Sequence, residues 1–216
     1  MKWSFSGLKD FDNCPRQYHE TKVLKRHVKA VTQQMLYGTE VHKALEDYTR
    51  DKTPLPKNYE RYAGQVDALL EIDGEKIVEH QMAMRKDGTA CGFSDEDYWV
   101  RGIADLLILD GGKAYVVDYK TGSAKYPDTK QLKLMALMVF AKFPEVQEIK
   151  AALLFVAHNV FISEDCKRSD IEQLNLAFKP SLYRMEKAYE TDTWTPNPTG
   201  LCGWCPVTSC EYHRKR

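Results

Sequence analysis

Asp105, Asp118 and Lys120 are the residues of this 216-residue chain whose types and spacing best suit chemistry. They flank Asp110-Gly-Gly-Lys113, and the segments on either side, 103–109 and 114–119, are rich in β-branched and aromatic residues. That pattern predicts two antiparallel strands joined by a two-residue turn at Gly111 and Gly112. In this register Asp105 falls opposite Asp118 at a non-hydrogen-bonded position, where Cα atoms lie roughly 4.5 Å apart. Two like charges so placed destabilise a sheet. Side chains alternate along a strand, so Lys120 points to the same face as Asp118. A bound divalent cation with a lysine beside it resolves the conflict. A bare pair of Asp and Lys on an edge strand is usually only a surface ion pair. Here both faces of the hairpin are apolar, with Leu107, Leu109, Ala114 and Val116 on one and Leu106, Ile108, Tyr115 and Val117 on the other. An unmatched acid pair is costly in such surroundings.

The elements that must position these residues are legible in outline. Ser4 or Ser6 caps a short helix to about Asn13, and Cys14-Pro15 stops or turns it. Helical patterns follow over 32–50 and 57–70, and strands over 75–84 and 98–109. The hairpin partner is 114–119, followed by an apolar helix over 130–143, a strand over 149–157 and a long amphipathic helix over about 169–189. This order predicts an α/β fold with a central mixed sheet flanked by helices. No repeat, low-complexity tract or linker marks a second domain, and the length suits one domain, 1–216.

The six cysteines are Cys14, Cys91, Cys166, Cys202, Cys205 and Cys210. Cys202-Gly-Trp-Cys205-Pro-Val-Thr-Ser-Cys210 packs three of them into a Gly/Pro/Thr-rich coil, which needs a source of order that a metal centre supplies. A fourth ligand is required, and His213 and Cys14 both qualify. With His213 the site is a self-contained zinc centre. With Cys14 it ties the two chain ends together. Cys91 and Cys166 read as ordinary thiols.

Lys plus Arg and Asp plus Glu are both 31, so any nucleic acid must be held by a local patch or through metals. The most basic window, 16–29, contains Arg16, Lys22, Lys25 and Arg26, the expected phosphate contacts, and the tail His213-Arg-Lys-Arg216 adds to it. Tyr18, Trp99, Tyr126 and Trp204 are able to stack on bases, although aromatics are more often core. No apolar run is long enough for a membrane span. The opening residues lack a secretory signal's apolar stretch, so the cytoplasm of a bacterial, archaeal or phage-infected cell is the expected location.

Taken together, Ser-Phe-Ser-Gly-Leu-Lys-Asp-Phe-Asp-Asn-Cys14-Pro-Arg-Gln-Tyr, Gly38-Thr-Glu-Val-His42-Lys-Ala-Leu-Glu46, Gly102-Ile-Ala-Asp105, Val117-Asp118-Tyr-Lys120-Thr-Gly and Gln131 resemble the RecB-like branch of the PD-(D/E)xK nuclease superfamily. With the terminal cysteines, the chain is similar to the iron-sulfur members of that branch, among them AddB-type helicase-nucleases and CRISPR-adaptation nucleases. The resemblance implies a restriction-endonuclease-like core. It implies a metal held by His42, Asp105, Asp118 and the backbone carbonyl of Tyr119. Lys120 then positions the attacking water, and Gln131 supports the site from the next helix. Hard Mg²⁺ or Mn²⁺ suits such oxygen ligands. It further implies a 4Fe-4S cluster on Cys14, Cys202, Cys205 and Cys210, with 1–30 and 191–216 forming a clasp, and Zn²⁺ as the alternative.

Two positions depart from the family pattern. Ala104 stands where a proline often precedes the first aspartate, and Met135 replaces a tyrosine four residues after the glutamine. The latter weakens any nucleotide contact assigned there. Glu79 is a further acid within possible reach, ranked below the others, and Glu46 is placed at i+4 to orient His42. The expected function is a metal-dependent exonuclease acting on DNA ends or single strands in repair, recombination or phage DNA metabolism, with a helicase or recombinase as partner. The alternative is a non-catalytic DNA-binding or assembly module on the same fold.

Overall fold

A computed structural model describes residues 1–214; Lys215 and Arg216 of the basic tail lie outside the described residues. The elements run α1 (Phe5–Asn13), α2 (Pro15–Tyr18), α3 (Gln33–Asp51), α4 (Ala63–Leu70), β1 (Glu75–Met84), β2 (Ala90–Cys91), β3 (Val100–Asp110), β4 (Lys113–Lys120), α5 (Lys130–Lys142), β5 (Glu148–Phe155), β6 (Val160–Lys167), α6 (Ile171–Leu176) and α7 (Lys179–Thr191). Residues 32–177 form one compact unit, and 1–31 with 178–216 form another.

In the larger unit six strands make a mixed sheet in the order β2-β1-β3-β4-β5-β6. Only β4 and β5 are parallel, joined through α5, and every other neighbouring pair is antiparallel. On one face Val41 and Leu45 of α3 and Val66 and Leu69 of α4 bury Leu106, Ile108, Val117, Tyr119, Ala152 and Leu154. The alternate residues Leu107, Val116, Ala151 and Leu153 are equally buried, on the face that α5 covers. Both faces are therefore sealed, and the strands read as nearly continuous apolar runs.

Local chemistry sets the ends of the elements. The Thr32 hydroxyl accepts from the Met35 N–H at 3.2 Å and starts α3. Lys52, with φ 57°, ends it in the left-handed conformation. The hairpin closes as expected, with Asp110 opposite Lys113 and Gly111 at φ 56°. The single long helix expected over 169–189 is instead two, α6 and α7, separated at Ala177 and Phe178. Pro180 sits in the first turn of α7, where its missing N–H is harmless, whereas inside a continuous helix it would remove a hydrogen bond. Sequence reading also placed no element at β6. This edge strand follows its three apolar residues, Val160, Phe161 and Ile162, with Ser163, Glu164, Asp165 and Lys167, and so carries only a short apolar run.

In the smaller unit, α1 buries Leu8 and Phe11 and contacts α7. Phe11, Tyr18, Tyr189 and Trp194 make an aromatic cluster, and the Tyr18 and Tyr189 hydroxyls lie 3.1 Å apart. Tyr18 thus belongs to the core. Among the described residues, no helix is long and apolar enough to cross a membrane.

Candidate active site

The ladder between β3 and β4 ends at Leu106–Val117, one pair short of Asp105 and Asp118. Beyond it β3 continues beside β1 and β4 beside β5, so the two strands fork where the aspartates stand. The register is the one read from the turn, but the two acids are not a ladder pair. Like charges at that spacing repel, and the fork relieves them. The Asp105 carboxylate turns into the gap, where the Tyr119 N–H donates to its Oδ2 at 2.5 Å in place of a ladder bond.

Two layers meet at this fork. From α3, His42 Nδ1 lies 3.2 Å from Asp105 Oδ1. Gly38, one turn earlier, brings the helix close to the end of β4: a Cβ on it would lie 3.2 Å from Thr121 Oγ1. From α5, the Gln131 side-chain amide donates to Asp118 Oδ1 at 2.5 Å and accepts from Lys120 Nζ at 2.9 Å. Gln131 therefore holds the acid and the amine together, and these two partners fix which way its amide points. Lys120 Nζ is also 2.5 Å from Asp118 Oδ2. That approach lacks hydrogen-bond geometry, so Oδ2 is a buried anionic oxygen without a hydrogen bond.

Glu79 belongs to the same place. The β1–β3 ladder pairs Val78 with Leu106 and His80 with Ala104 but skips Glu79 and Asp105 between them. Glu79 has φ 52°, a strained conformation for a residue with a Cβ. Val78 and Leu106 pack with α3 and α4, whereas the His80 ring meets Phe143 at the end of α5. The side-chain alternation slips at this break, and the break turns Glu79 toward Asp105. Period-2 counting cannot anticipate such a slip, which is why Glu79 ranked low from sequence.

The electrostatics are those of crowded acids. Burial, reinforced by the charge of Asp105, raises the Asp118 carboxyl to about 6 against the opposing pull of Lys120. Burial, with the neighbouring charges of Asp105 and Glu46, raises the Glu79 carboxyl. For His42 burial disfavours the cation, but the Asp105 hydrogen bond and charge outweigh it and the imidazole is raised. Glu46 is paired along its own helix with Lys43 and Arg50 and makes no bond to His42. The donor set fits a hard divalent cation: three carboxyl groups and one imidazole converge where only one amine offsets the charge. Their ligand atoms stand loosely. Among the described residues, the only three-ligand group within 4.8 Å is Cys91, Asp95 and Asp97. Those acids are already engaged by Arg85, 2.6 Å from Asp97 and 3.5 Å from Asp95.

The family model of the PD-(D/E)XK nuclease superfamily matches residues 2–210. The chain belongs to the PD-(D/E)XK nuclease superfamily. Among solved structures, a protein from Eubacterium rectale described as a candidate exonuclease shares 15% identity and a TM-score of 0.51, over 97% of this chain and 86% of its own. LHK-Exo in complex with dAMP shares 14% identity and a TM-score of 0.46, over 88% and 90%. The first likeness shows the fold. Among curated proteins no sequence matches significantly. The six-stranded mixed sheet flanked by helices agrees with that membership.

In the smaller unit the structure brings Cys14, Cys202, Cys205 and Cys210 to one cavity, with Arg16, Gln17, Asn197 and His213 also lining it. Cys14 ends α1 and caps α2. Three of the sulfurs accept N–H donors: Cys14 from Gln17 and Asn197 at 3.5 and 3.4 Å, Cys202 from Thr199 at 3.3 Å, and Cys205 from the Gln17 amide at 3.3 Å. Burial raises the Cys210 thiol, and His213 Nδ1 is buried without a partner. Cys91 lies on β2 and Cys166 on β6 of the larger unit.

The basic window is partly used up within the same unit. Lys22 and Lys29 approach Asp10 at 3.9 and 2.6 Å, and Arg16 lies 3.7 Å from Glu20. Lys25 and Arg26 are exposed. Tyr126 is 83% exposed on the loop leading from Lys120 to Gln131, which favours it over buried Tyr18 as a stacking residue.

Proposed function

We propose that this superfamily member is a divalent-metal-dependent deoxyribonuclease that removes nucleotides from DNA ends or single strands. The observation that carries the reading is the fork, where the bonded pair His42 and Asp105 and the bonded set Asp118, Gln131 and Lys120 stand on its two strands. His42, Asp105, Asp118 and the Tyr119 carbonyl would hold Mg²⁺ or Mn²⁺, with Glu79 beside them. When bound, the ion polarises the phosphodiester and acidifies water. Asp118 must be ionised to serve, and the Lys120 ammonium favours that form. Gln131 keeps the Lys120 amine from swinging away, so the amine can orient a water and hold a proton there. Hydrolysis joins the water oxygen to phosphorus and breaks the bond to the leaving sugar oxygen.

Residues 1–31 and 178–216 fit a 4Fe-4S clasp on Cys14, Cys202, Cys205 and Cys210, within a single nuclease domain spanning 1–216. A zinc tetrahedron with Zn–S of about 2.3 Å needs ligand atoms roughly 4 Å apart. Four cysteines line one cavity, which supplies the all-thiolate set that a cluster takes. The unpartnered His213 keeps zinc as the second reading. Lys25, Arg26 and the tail supply phosphate contacts, with Arg16 and Lys22 in a lesser part. The natural setting is cytoplasmic DNA repair, recombination or phage DNA metabolism beside a helicase or recombinase.

Labelled linear and circular DNA incubated with Mg²⁺, Mn²⁺ or EDTA tests the activity. Metal-dependent shortening of linear strands is expected, and circular duplex should survive. Failure to cleave any DNA form with either metal would leave the non-catalytic DNA-binding module in its place.

A further inference from the structure

We infer that the cleft between α4 and the end of β5 is a subsite for one nucleotide of the bound strand, base inward and phosphate at the rim. The inference rests on the nuclease reading above and adds where the strand is gripped. The cleft has a volume of about 630 Å³, within the range of roughly 300–1,000 Å³ usual for small-ligand sites. Its floor is Val156 to Asn159, and Arg61, Gln65 and Ala68 form its wall. Phe155 is the ladder partner of Lys120, and the Val156 N–H donates to the Lys120 carbonyl at 3.0 Å. The floor therefore begins about one strand residue, ~3.3 Å, from the residue that carries the site's amine.

Gln65 points to the ligand. Its Nε2 donates to the Val156 carbonyl at 3.1 Å, and a carbonyl only accepts, so the orientation of the amide is settled. Oε1 is thereby left buried with no hydrogen-bond partner. A buried acceptor lacking a donor is unfavourable, and a shift of the amide that opens Oε1 to the cleft lets a nucleobase N–H or amino edge supply that donor, which a phosphate does not. At the rim, the Arg61 guanidinium donates to the Tyr62 hydroxyl at 2.9 Å and lies over its ring at 5.0 Å. Tyr62 is itself fixed by the Tyr37 hydroxyl at 2.6 Å and by stacking on Tyr59. The cation is thus pre-positioned, with donors to spare for a phosphate. Opposite stand His158 and Asn159, and Gly64 leaves room, since a Cβ there would meet nothing within 4 Å.

The experiment measures binding of labelled single-stranded oligonucleotides by fluorescence anisotropy in EDTA, where no hydrolysis competes. The set includes an intact strand and strands with one abasic site moved position by position. One abasic position should weaken wild type by about fivefold, the loss expected for a base-edge hydrogen bond. Gln65→Met should bind the intact strand more weakly by about the same factor and be indifferent to that abasic position. Arg61→Ala should weaken every strand alike. If Gln65→Met, folded by circular dichroism, binds the intact strand like wild type or keeps the abasic penalty, the subsite is overturned. Metal-dependent cleavage by wild type, run in parallel, separates the two claims. Cleavage with an unchanged abasic profile in Gln65→Met removes only the subsite, whereas absence of both binding and cleavage removes the nuclease reading and the subsite with it.

Discussion

At the scale of residues, the fork divides labour between groups that hold charge and groups that hold those groups. Asp118→Ala is expected to cut cleavage by at least ~1,000-fold, because it removes a metal-holding oxygen and the partner of Lys120. Lys120→Ala should cost about 100-fold with little change in metal affinity, the size usual for a positioned proton-transfer group. Single-turnover kinetics on linear DNA checks both. A raised carboxyl also gives the metal-free protein a pH signature. Asp118 prefers its protonated form below about 6, and a metal must displace that proton. Mn²⁺ affinity measured by calorimetry should therefore fall as pH drops through the raised range of His42, and more steeply below about 6, where Asp118 also takes up a proton. For stability without metal the sign is opposite. A carboxyl raised above its unfolded value contributes stability at low pH, and this is lost as pH rises through about 6.

At the scale of elements, α3 decides whether His42 reaches Asp105. Its close approach depends on Gly38 against Thr121. Gly38→Leu should push the helix outward and lower the rate by roughly 100-fold, as a misplacement near 1 Å does, and Thr121→Ala in the same chain should recover part of it. Equal rates for Gly38→Leu and wild type would sink this account. The interruption at Glu79 is the second device. A half-buried acid beside Asp105 is unfavourable, so Glu79→Gln should raise the melting temperature of the metal-free protein while reducing its upshift on adding Mn²⁺. The hairpin itself was legible from Gly111-Gly112 and the strand composition. The fork was not, because it arises when β1 and β5 compete for the outer edges of β3 and β4.

At the scale of the molecule, the chain ends meet in their own unit around four thiols, beside a small core that includes Trp3, Leu8, Phe11, Tyr18, Phe178 and Met185. Metal-linked order should then carry much of that unit's stability. Purified protein is expected to be brown, with broad absorbance near ~400 nm. Cys205→Ser should bleach it and lower the melting temperature by about 10 °C. A colourless protein holding one zinc would favour the three-cysteine site with His213.

What the sequence determined by itself is the chemistry of single positions and of short-range pattern. Asp118 and Lys120 share a face because strands alternate. Cys202, Cys205 and Cys210 crowd a coil that apolar burial cannot order. The turn register follows from two glycines. The ordered motifs added His42 and Gln131 through resemblance, since nothing local marks a helical histidine or glutamine as part of a site. The tertiary structure alone decided how these pieces converge. It split the ladder at the two aspartates, turned Glu79 out of register toward them, and left one oxygen of Gln65 without a donor beside Lys120. Each of these depends on backbone partners far away in the chain. Hydrogen-bond competition among strands and helix packing across the sheet are properties of the assembled fold, and a local pattern does not carry them.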